Sequence, residues 1–193
     1  MNIVFSSDKK EYNTIKKGTE ILLAENDGFN QNIELSVEFQ DRPEILINKR
    51  NNQIHIICRE ISHYYRALNY AIHHMEEDEF QYREHVCFER NGLMLDCSRN
   101  AVFTVEKVKF LIKTLAKLGM NVLMLYTEDT YEVEGQPYFG AYRGKYTKDE
   151  IKELDAYASM FGVELVPCIQ TLAHLHNALK WPGMDKIRDS APA

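Results

Sequence analysis

The sequence predicts an α/β protein in which a small α+β unit precedes three successive strand–helix units. Two observations predict this arrangement. From about residue 91, short apolar runs alternate with segments of helical periodicity, an order typical of parallel sheets. Before residue 88 the segments are more varied and include a hairpin pattern and two amphipathic helices. We therefore expect two domains, residues 1–88 and residues 89–193.

The first unit combines strand and helix patterns. Apolar residues alternate along residues 33–39, which indicates a strand with one buried face. A polar turn at residues 49–52 separates two strand-like runs and predicts a hairpin. The order of elements favours a sheet covered by helices on one face. The predicted strands are residues 2–6, 33–39, 44–48, 53–59 and 80–88, and the predicted helices are residues 12–24 and 61–75.

The second unit alternates regularly between strands and helices. Its predicted strands are residues 92–97, 121–126 and 163–169. The run NVLMLY at residues 121–126 is almost unbroken in its apolar character, as expected for a strand buried on both faces. Helices are predicted after the N-caps Thr104 and Thr147, ending at Gly119 and Gly162, and a third at residues 172–179. Such a run fits either a doubly wound sheet or part of an eight-stranded barrel.

Composition excludes several classes of function. A formal net charge of −6 disfavours a nucleic-acid partner, whose phosphates require a basic face. No apolar run is long enough for a membrane helix, and the N-terminus lacks a signal-peptide pattern. The four cysteines have no CxxC spacing, which favours free thiols, a cytoplasmic location and no zinc site. Nucleotide-binding and serine-hydrolase motifs are absent, and we expect no cofactor.

Polar side chains follow each predicted strand of the second unit. Because the carboxyl ends of parallel strands share one face, we expect these groups to converge on one cleft. Arg99 is the strongest candidate, since its guanidinium can bind two vicinal hydroxyls or a carboxylate. The alternative for Arg99 is a structural ion pair with Asp96 or Glu128. The candidates are Asp96 and Arg99 after the first strand, Glu128 and Asp129 after the second, and Gln170, His174 and His176 after the third.

The acidic and histidine candidates allow several interpretations. Glu128 and Asp129 are adjacent, so on an extended segment they point in opposite directions and are poorly placed as a glycosidase carboxylate pair. A solvated loop turn would also explain them. The spacing of His174 and His176 is a weak metal signal, and a histidine bonded to a carboxylate is favoured over a metal site. Aromatic residues are frequent after residue 126, which suits a saccharide cleft, although core packing explains them equally well.

Three segments resemble a known family. They are RNGLMLDCSRN at residues 90–100, NVLMLYTEDTYEVEGQPYFGAYRGKYT at residues 121–147, and ELVPCIQTLAHLHNALKWPG at residues 164–183. They resemble the start of the catalytic barrel in glycoside hydrolase family 20, the β-N-acetylhexosaminidases, and most of all its exo-acting, intracellular branch. The preceding unit is similar to the small α+β domain that comes before this barrel. The resemblance implies an incomplete (β/α)8 TIM barrel, represented here by its first three βα units.

The resemblance also implies roles for individual residues. Arg99 would bind the hydroxyls at carbons 3 and 4 of a terminal N-acetylhexosamine. A carboxylate after the second strand would bond a histidine after the third, which supports the general acid. His174 is that histidine, and Asp129 is preferred over Glu128 as the carboxylate. TED and LAHL stand where many members of the family have paired aspartates and PGHT.

The implied mechanism is substrate-assisted, retaining hydrolysis, in which the acetamido oxygen of the substrate attacks the anomeric carbon. The family's catalytic Asp–Glu pair follows the fourth strand, so no residue of this chain is assigned a catalytic role. We expect an inactive N-terminal fragment of an enzyme that acts on N-acetylhexosamine-terminated glycans, and self-association through the incomplete barrel. The alternatives are a non-catalytic carbohydrate-binding or interaction module, and a small α/β enzyme that uses His174 with Glu128 or Asp129, with or without a metal.

Overall fold

The computed structural model describes residues 3–5, 9–25, 33–99, 101–170 and 172–189. Within these ranges the chain forms eight strands in two sheets, with helices in between. In chain order the elements are β1 (Ile3–Phe5), α1 (Lys9–Ala24), β2 (Ile33–Phe39), β3 (Glu44–Arg50), β4 (Gln53–Cys58), α2 (Ile61–His73), β5 (Glu79–His85), β6 (Gly92–Asp96), α3 (Val105–Lys117), β7 (Val122–Thr127), α4 (Lys148–Met160), β8 (Glu164–Ile169) and α5 (His176–Leu179), followed by a 3-10 turn at Pro182–Met184.

The first sheet has the strand order β1-β2-β4-β3-β5. β1, β2 and β4 are parallel, whereas β3 is antiparallel to both β4 and β5. The alternation along β2 buries Ile33, Leu35 and Val37 on one face, and α2 packs against β3 and β4. The strand expected at residues 80–88 ends earlier, at His85, and pairs with β3 as the edge of this sheet.

The second sheet is parallel, with β7 between β6 and β8. Leu123 and Leu125 of β7 are buried in the same apolar cluster as Ile112 of α3 and Leu154 of α4, so the helices cover this face. Local signals in the sequence place the helices: the side chain of Thr104 accepts a hydrogen bond from the Lys107 backbone, and Thr147 forms a capping box with Glu150. The helix expected at residues 172–179 is shorter, a single turn at His176–Leu179.

The buried apolar residues of the two sheets form one continuous cluster. α2 packs against the first sheet and against α3, and it lies close to α4. Tyr65 of α2 shows this directly, because its hydroxyl oxygen lies 3.2 Å from the carbonyl oxygens of both Ile15 in α1 and Met160 in α4, which share its single proton. The expected domain boundary at residue 88 falls between β5 and β6, in a segment that joins two parts of a single core.

Two general properties of the described ranges bear on the site. None of the helices there is both long and apolar enough to cross a membrane. Within the described ranges Cys58, Cys87, Cys97 and Cys168 form no disulfide bond, and Cys58 and Cys97 are buried. Burial raises the pKa of the Cys97 thiol, so this group stays protonated beneath the strand ends.

Candidate functional site

The carboxyl ends of β6, β7 and β8 lie side by side. Asp96 of β6 is in register with Tyr126 of β7, which is in register with Cys168 of β8. The segments that follow the three strands therefore leave the sheet on one face. They bring together Arg99, Glu128 and His174, three residues that sequence analysis placed at this end of the sheet.

Arg99 lies at the centre of this cluster. Its Nη1 is 2.8 Å from Glu128 Oε1, and its Nη2 is 3.2 Å from His174 Nδ1. The Arg99 side chain is 52% exposed, whereas that of Glu128 is 2% exposed. The buried carboxylate thus fixes one edge of the guanidinium and compensates its charge, while other donors of the same group face solvent. Sequence analysis left Arg99 as either a ligand-binding residue or one half of a structural ion pair. The ion pair with Glu128 is present, and the exposed part of the guanidinium can still contact a ligand.

The turn that carries Arg99 is stabilised by Asp96. Asp96 Oδ1 accepts hydrogen bonds from the Ser98 backbone nitrogen, at 2.8 Å, and from the Ser98 hydroxyl, at 2.7 Å. The bond from the Ser98 side chain is the main reason that the pKa of Asp96 lies below its ordinary value. Asp96 therefore orders the chain between β6 and Arg99, and it makes no ion pair with Arg99 among the described contacts.

The bond between Arg99 and His174 defines the histidine tautomer. A guanidinium can only donate, so His174 Nδ1 accepts and the imidazole proton is on Nε2. His174 Nδ1 lies 3.9 Å from Glu128 Oε1. The backbone of His174 has φ 61°, a left-handed conformation that costs about 1–3 kcal/mol for a residue other than glycine. The fold thus holds the ring against Arg99, and no contact among the described residues uses its Nε2–H.

Glu128 Oε1 retains unused capacity as an acceptor. Its contact with Arg99 is an ion pair without the alignment of a hydrogen bond, and none of the described residues donates one to this buried oxygen. Buried polar atoms are nearly always hydrogen-bonded in native proteins, by the protein, a ligand or water. An unsatisfied oxygen beside a half-exposed arginine is therefore consistent with a site for a polar ligand.

Asp129 pairs with a different arginine, Arg143. Its Oδ1 accepts a hydrogen bond from Arg143 Nη1, and the same nitrogen lies 3.9 Å from Glu128 Oε2. Of the two acidic residues, Glu128 is the one that lies near His174, with 3.9 Å between Glu128 Oε1 and His174 Nδ1, and the preference for Asp129 as the supporting carboxylate stays a prediction. Glu128 and Asp129 follow the end of β7 and make their shortest ion pairs with different arginines, although Arg143 lies close to both.

Arg143 was not identified from the sequence. It lies in the loop of residues 128–146 between β7 and α4, where it is one cation among several polar residues. The loop folds back over the end of β7 through a bridge between Tyr131 and Tyr146. Gly140 permits the close approach, since a Cβ at that position would lie 2.3 Å from the Asp129 carbonyl oxygen. Two adjacent acidic residues after an apolar strand are the signal that such a cation is needed.

The remaining candidates stand apart from the cluster. The Gln170 backbone nitrogen donates to the Thr127 carbonyl oxygen at 3.3 Å, so this residue extends the β7–β8 pairing. His176 begins α5 and is exposed. Within the described ranges, no group of three or more histidine, cysteine or acidic side chains is placed to hold a metal ion.

Comparison with known proteins identifies the family. Residues 88–190 match the model of the glycosyl hydrolase family 20 catalytic domain. The chain is 30% identical to a β-hexosaminidase of Vibrio furnissii over 48% of this chain and 19% of that protein. It is also 30% identical to hexosaminidase D of Bos taurus, over 38% of this chain and 21% of that protein. The chain spans only 16–21% of the length of the curated relatives that it matches.

Solved structures agree on the fold. The β-hexosaminidase of Streptomyces plicatus superposes with a TM-score of 0.73 at 20% identity, covering 93% of this chain and 43% of that chain. A family 20 exo-β-N-acetylglucosaminidase of Vibrio harveyi gives a TM-score of 0.67 at 18% identity, with 86% and 32% covered. The predicted fold class, with its parallel sheet as part of a barrel, is confirmed. Because the family model covers more than half of the sequence, the resemblance is also confirmed, and the chain belongs to glycosyl hydrolase family 20.

Proposed function

We propose that this chain is the N-terminal part of an exo-β-N-acetylhexosaminidase that removes terminal β-linked N-acetylglucosamine or N-acetylgalactosamine from glycans. The observation that carries the proposal is the Arg99 guanidinium, held at the end of β6 by buried Glu128 and half open to solvent. A planar cation with several free N–H groups is suited to bind two neighbouring hydroxyls of a sugar ring. Membership of the family supplies the class of substrate.

In this proposal the chain binds and positions the substrate. The ion pair with Glu128 holds the Arg99 guanidinium at the end of β6, and its remaining donors are available to a sugar. His174 has its Nε2–H available to donate to an acid beyond this cluster. Such a bond would orient a general acid, which is the supporting role that the resemblance implies.

We assign none of the described residues to the cleavage of the glycosidic bond. Substrate-assisted hydrolysis requires one carboxylate to orient the acetamide, whose oxygen attacks the anomeric carbon, and one acid to protonate the leaving oxygen. Glu128 and Asp129 are unsuited to both tasks, because they are 1% and 2% exposed and each is paired with an arginine. We therefore infer that the 193-residue polypeptide has no hydrolytic activity of its own.

An activity assay tests this inference. The purified 193-residue protein should release no p-nitrophenol from p-nitrophenyl N-acetyl-β-glucosaminide above the rate in buffer. A polypeptide extended through the next strand–helix units of the same reading frame should hydrolyse it. Turnover by the short protein that is lost in Glu128→Gln would show that the carboxylate assignment is wrong.

A binding experiment tests the role of Arg99. We expect Arg99→Ala to weaken the binding of N-acetylglucosamine by about tenfold or more, measured from NMR chemical-shift changes, because hydrogen bonds from a charged donor are lost. Arg83→Ala is a matched control, since Arg83 is 71% exposed on the first sheet and pairs with Glu44. Equal affinities in Arg99→Ala and the unmodified protein would contradict the proposal.

A non-catalytic carbohydrate-binding module remains a second candidate function. The pairing of both carboxylates with arginines favours binding over bond cleavage in this part of the chain. The two candidates differ in one outcome. An extended polypeptide that binds N-acetylglucosamine through Arg99 and still lacks turnover would favour the binding module.

A further inference from the structure

A single buried side chain joins the segment that carries Arg99 to the loop that follows β7, and we propose that the hydroxyl group of this residue, Tyr146, positions Arg99 for sugar binding. Tyr146 directly precedes Thr147, the N-cap of α4, and it is 2% exposed. The inference rests on the proposed function, since it concerns the same arginine. Tyr146 acts through Arg99, so it is a positioning residue and needs no contact with the substrate.

The Tyr146 hydroxyl contacts the chain on both sides of Arg99. It donates a hydrogen bond to the Phe103 carbonyl oxygen at 2.7 Å, and it lies 3.7 Å from Cys97 Sγ. Because the single hydroxyl proton is directed at Phe103, the Cys97 thiol is the donor in the second contact. Burial raises the pKa of both the Tyr146 hydroxyl and the Cys97 thiol above their ordinary values, so each group keeps its proton. One oxygen atom thus joins two residues that flank Arg99 in the chain.

The backbone of Tyr146 is bonded to the other side of the site. Its nitrogen donates to the Thr130 carbonyl oxygen at 3.1 Å, and its carbonyl oxygen accepts a hydrogen bond from the Glu132 nitrogen at 2.8 Å. Thr130 comes two residues after Glu128, the buried carboxylate that lies 2.8 Å from Arg99. Tyr146 therefore connects the segment that carries the cation with the segment that carries its counter-ion.

Cys97 lies between this bond and Arg99 in the chain. Its backbone nitrogen donates to the Tyr126 carbonyl oxygen at 2.9 Å, so Cys97 extends the pairing of β6 with β7. Its side chain is fully buried against the Tyr146 ring end. Arg99 follows two residues later, after the turn that Asp96 and Ser98 stabilise. A displaced Cys97 would therefore displace the turn and the arginine that it carries.

Packing alone does not account for the hydroxyl group of Tyr146. A phenylalanine ring would fill the same buried space without the cost of removing a polar group from water. Here two partners satisfy the hydroxyl, and a satisfied buried polar network specifies one arrangement of the groups that it joins. The loops also meet through an apolar contact, because a Cβ at Gly144 would lie 3.1 Å from Val102 Cβ. The apolar contact brings the loops together, and the hydroxyl fixes their alignment.

The side-chain N–H signals of Arg99 in an NMR spectrum report its position without any ligand, and their loss in Arg99→Ala assigns them. We expect Tyr146→Phe to shift these signals and to speed their exchange with water, because Arg99 is then held less firmly against Glu128. N-acetylglucosamine should bind about threefold more weakly or worse, since part of its binding free energy is then spent on ordering the arginine.

Tyr64→Phe is the matched control. Tyr64 is fully buried in α2, and its hydroxyl oxygen lies 2.8 Å from that of Thr19. The control also removes a buried, hydrogen-bonded hydroxyl, so it should lower the stability by a similar amount and leave the Arg99 signals and the sugar affinity unchanged. A second pair of variants changes the other partner of Tyr146. Cys97→Ala removes the donor and should reproduce part of the effect of Tyr146→Phe, whereas Cys97→Ser retains a donor and should not.

The outcomes separate this inference from the proposed function. Unchanged Arg99 signals in Tyr146→Phe, or the same change in Tyr64→Phe, would overturn the inference. An affinity for N-acetylglucosamine that falls in Arg99→Ala and stays the same in Tyr146→Phe would also overturn it. If the proposed function fails instead, Arg99→Ala and the unmodified protein have equal affinities, while the Arg99 signals still differ between Tyr146→Phe and Tyr64→Phe.

Discussion

Two buried, adjacent carboxylates are the most costly feature at the scale of single residues. Glu128 and Asp129 are almost fully removed from water, and an isolated buried charge would be strongly destabilising. Asp129 is compensated by Arg143, and Glu128 by Arg99, with Arg143 a further 3.9 Å from its Oε2. The cation that we propose to bind the substrate is therefore also a structural one, which links the orientation of Arg99 to the stability of the strand end.

Replacement of Arg143 tests this compensation. Arg143→Ala leaves Asp129 buried without its cation, and we expect a loss of about 3 kcal/mol in the free energy of unfolding, measured by urea denaturation. Arg83→Ala removes an exposed partner of Glu44 and should change the stability little. If the two variants are equally stable, Asp129 has another source of compensation.

Sequence reasoning found some of these residues and missed others for a physical reason. Arg99, Glu128 and His174 follow parallel strands, and strand topology alone brings such positions together. Arg143 lies 14 residues from Asp129 in a loop without periodicity, so no pattern predicts the contact. The choice between Glu128 and Asp129 depends on which side chain lies nearer His174 just after β7 ends, and a strand pattern does not specify the direction of side chains beyond the strand.

At the scale of elements, the packing of α1, α2 and α4 depends on a small residue. Gly18 of α1 lies against Tyr65, and a Cβ there would be 2.0 Å from the Tyr65 hydroxyl oxygen and 2.7 Å from its Cζ. The same hydroxyl bonds α1 and α4. The absence of a side chain at residue 18 therefore sets the distance between three helices.

Gly18→Ala should destabilise the protein by about 1–3 kcal/mol, because the added methyl group displaces Tyr65. This is opposite in sign to the gain of about 1 kcal/mol that alanine gives at an unconstrained helix position. Thermal unfolding measures the difference, and Glu20→Ala, at an exposed position of the same helix, serves as control. A more stable Gly18→Ala variant would show that the helices can separate at little cost.

A buried histidine in α2 makes the stability depend on pH. Burial lowers the pKa of His63 below its ordinary value of 6.5, although the charge of Glu60 acts in the opposite direction. The unfolded chain then binds a proton more readily than the native one. The contribution of neutral His63 is therefore fully present above pH 6.5 and is lost as the pH falls below it.

Denaturation by urea at pH 7.5 and pH 5.5 measures this effect. We expect the unmodified protein to lose stability between the two values, and His63→Phe to lose less. His73→Phe alters an exposed histidine of the same helix and should retain the full loss. An identical loss in His63→Phe would place the responsible group elsewhere.

The helices and strands were easier to predict than their arrangement. Caps such as Thr104 and the Thr147 box are local hydrogen bonds, so a few residues specify them. β4 lies between β2 and β3 in the sheet. Tertiary packing sets this order, so a hairpin pattern in the sequence does not predict it. α5 is one turn long because periodicity over residues 172–179 is too short to stabilise a helix by itself.

At the scale of the whole molecule, the two sheets differ in how they are covered. The residues of β7 alternate, and those that face α3 and α4 are buried, whereas the others are half-buried. Met94, Met124 and Val166 are in register on the face turned away from these helices. Met94 is 56% exposed, so the second sheet presents an apolar face and free outer edges on β6 and β8 within the described ranges.

We propose that this apolar face causes the 193-residue protein to self-associate, because exposed parallel strands offer both apolar surface and unpaired backbone groups. The mass measured by light scattering should rise with protein concentration. Met94→Lys places a charge on the uncovered face, where it should shift the equilibrium toward the monomer without loss of folding, as followed by circular dichroism. Phe110→Lys, at a similarly exposed position on the outer surface of α3, should leave association unchanged. A monomer at all concentrations would contradict this proposal. It would mean that the three strand–helix units are stable with this apolar face in water.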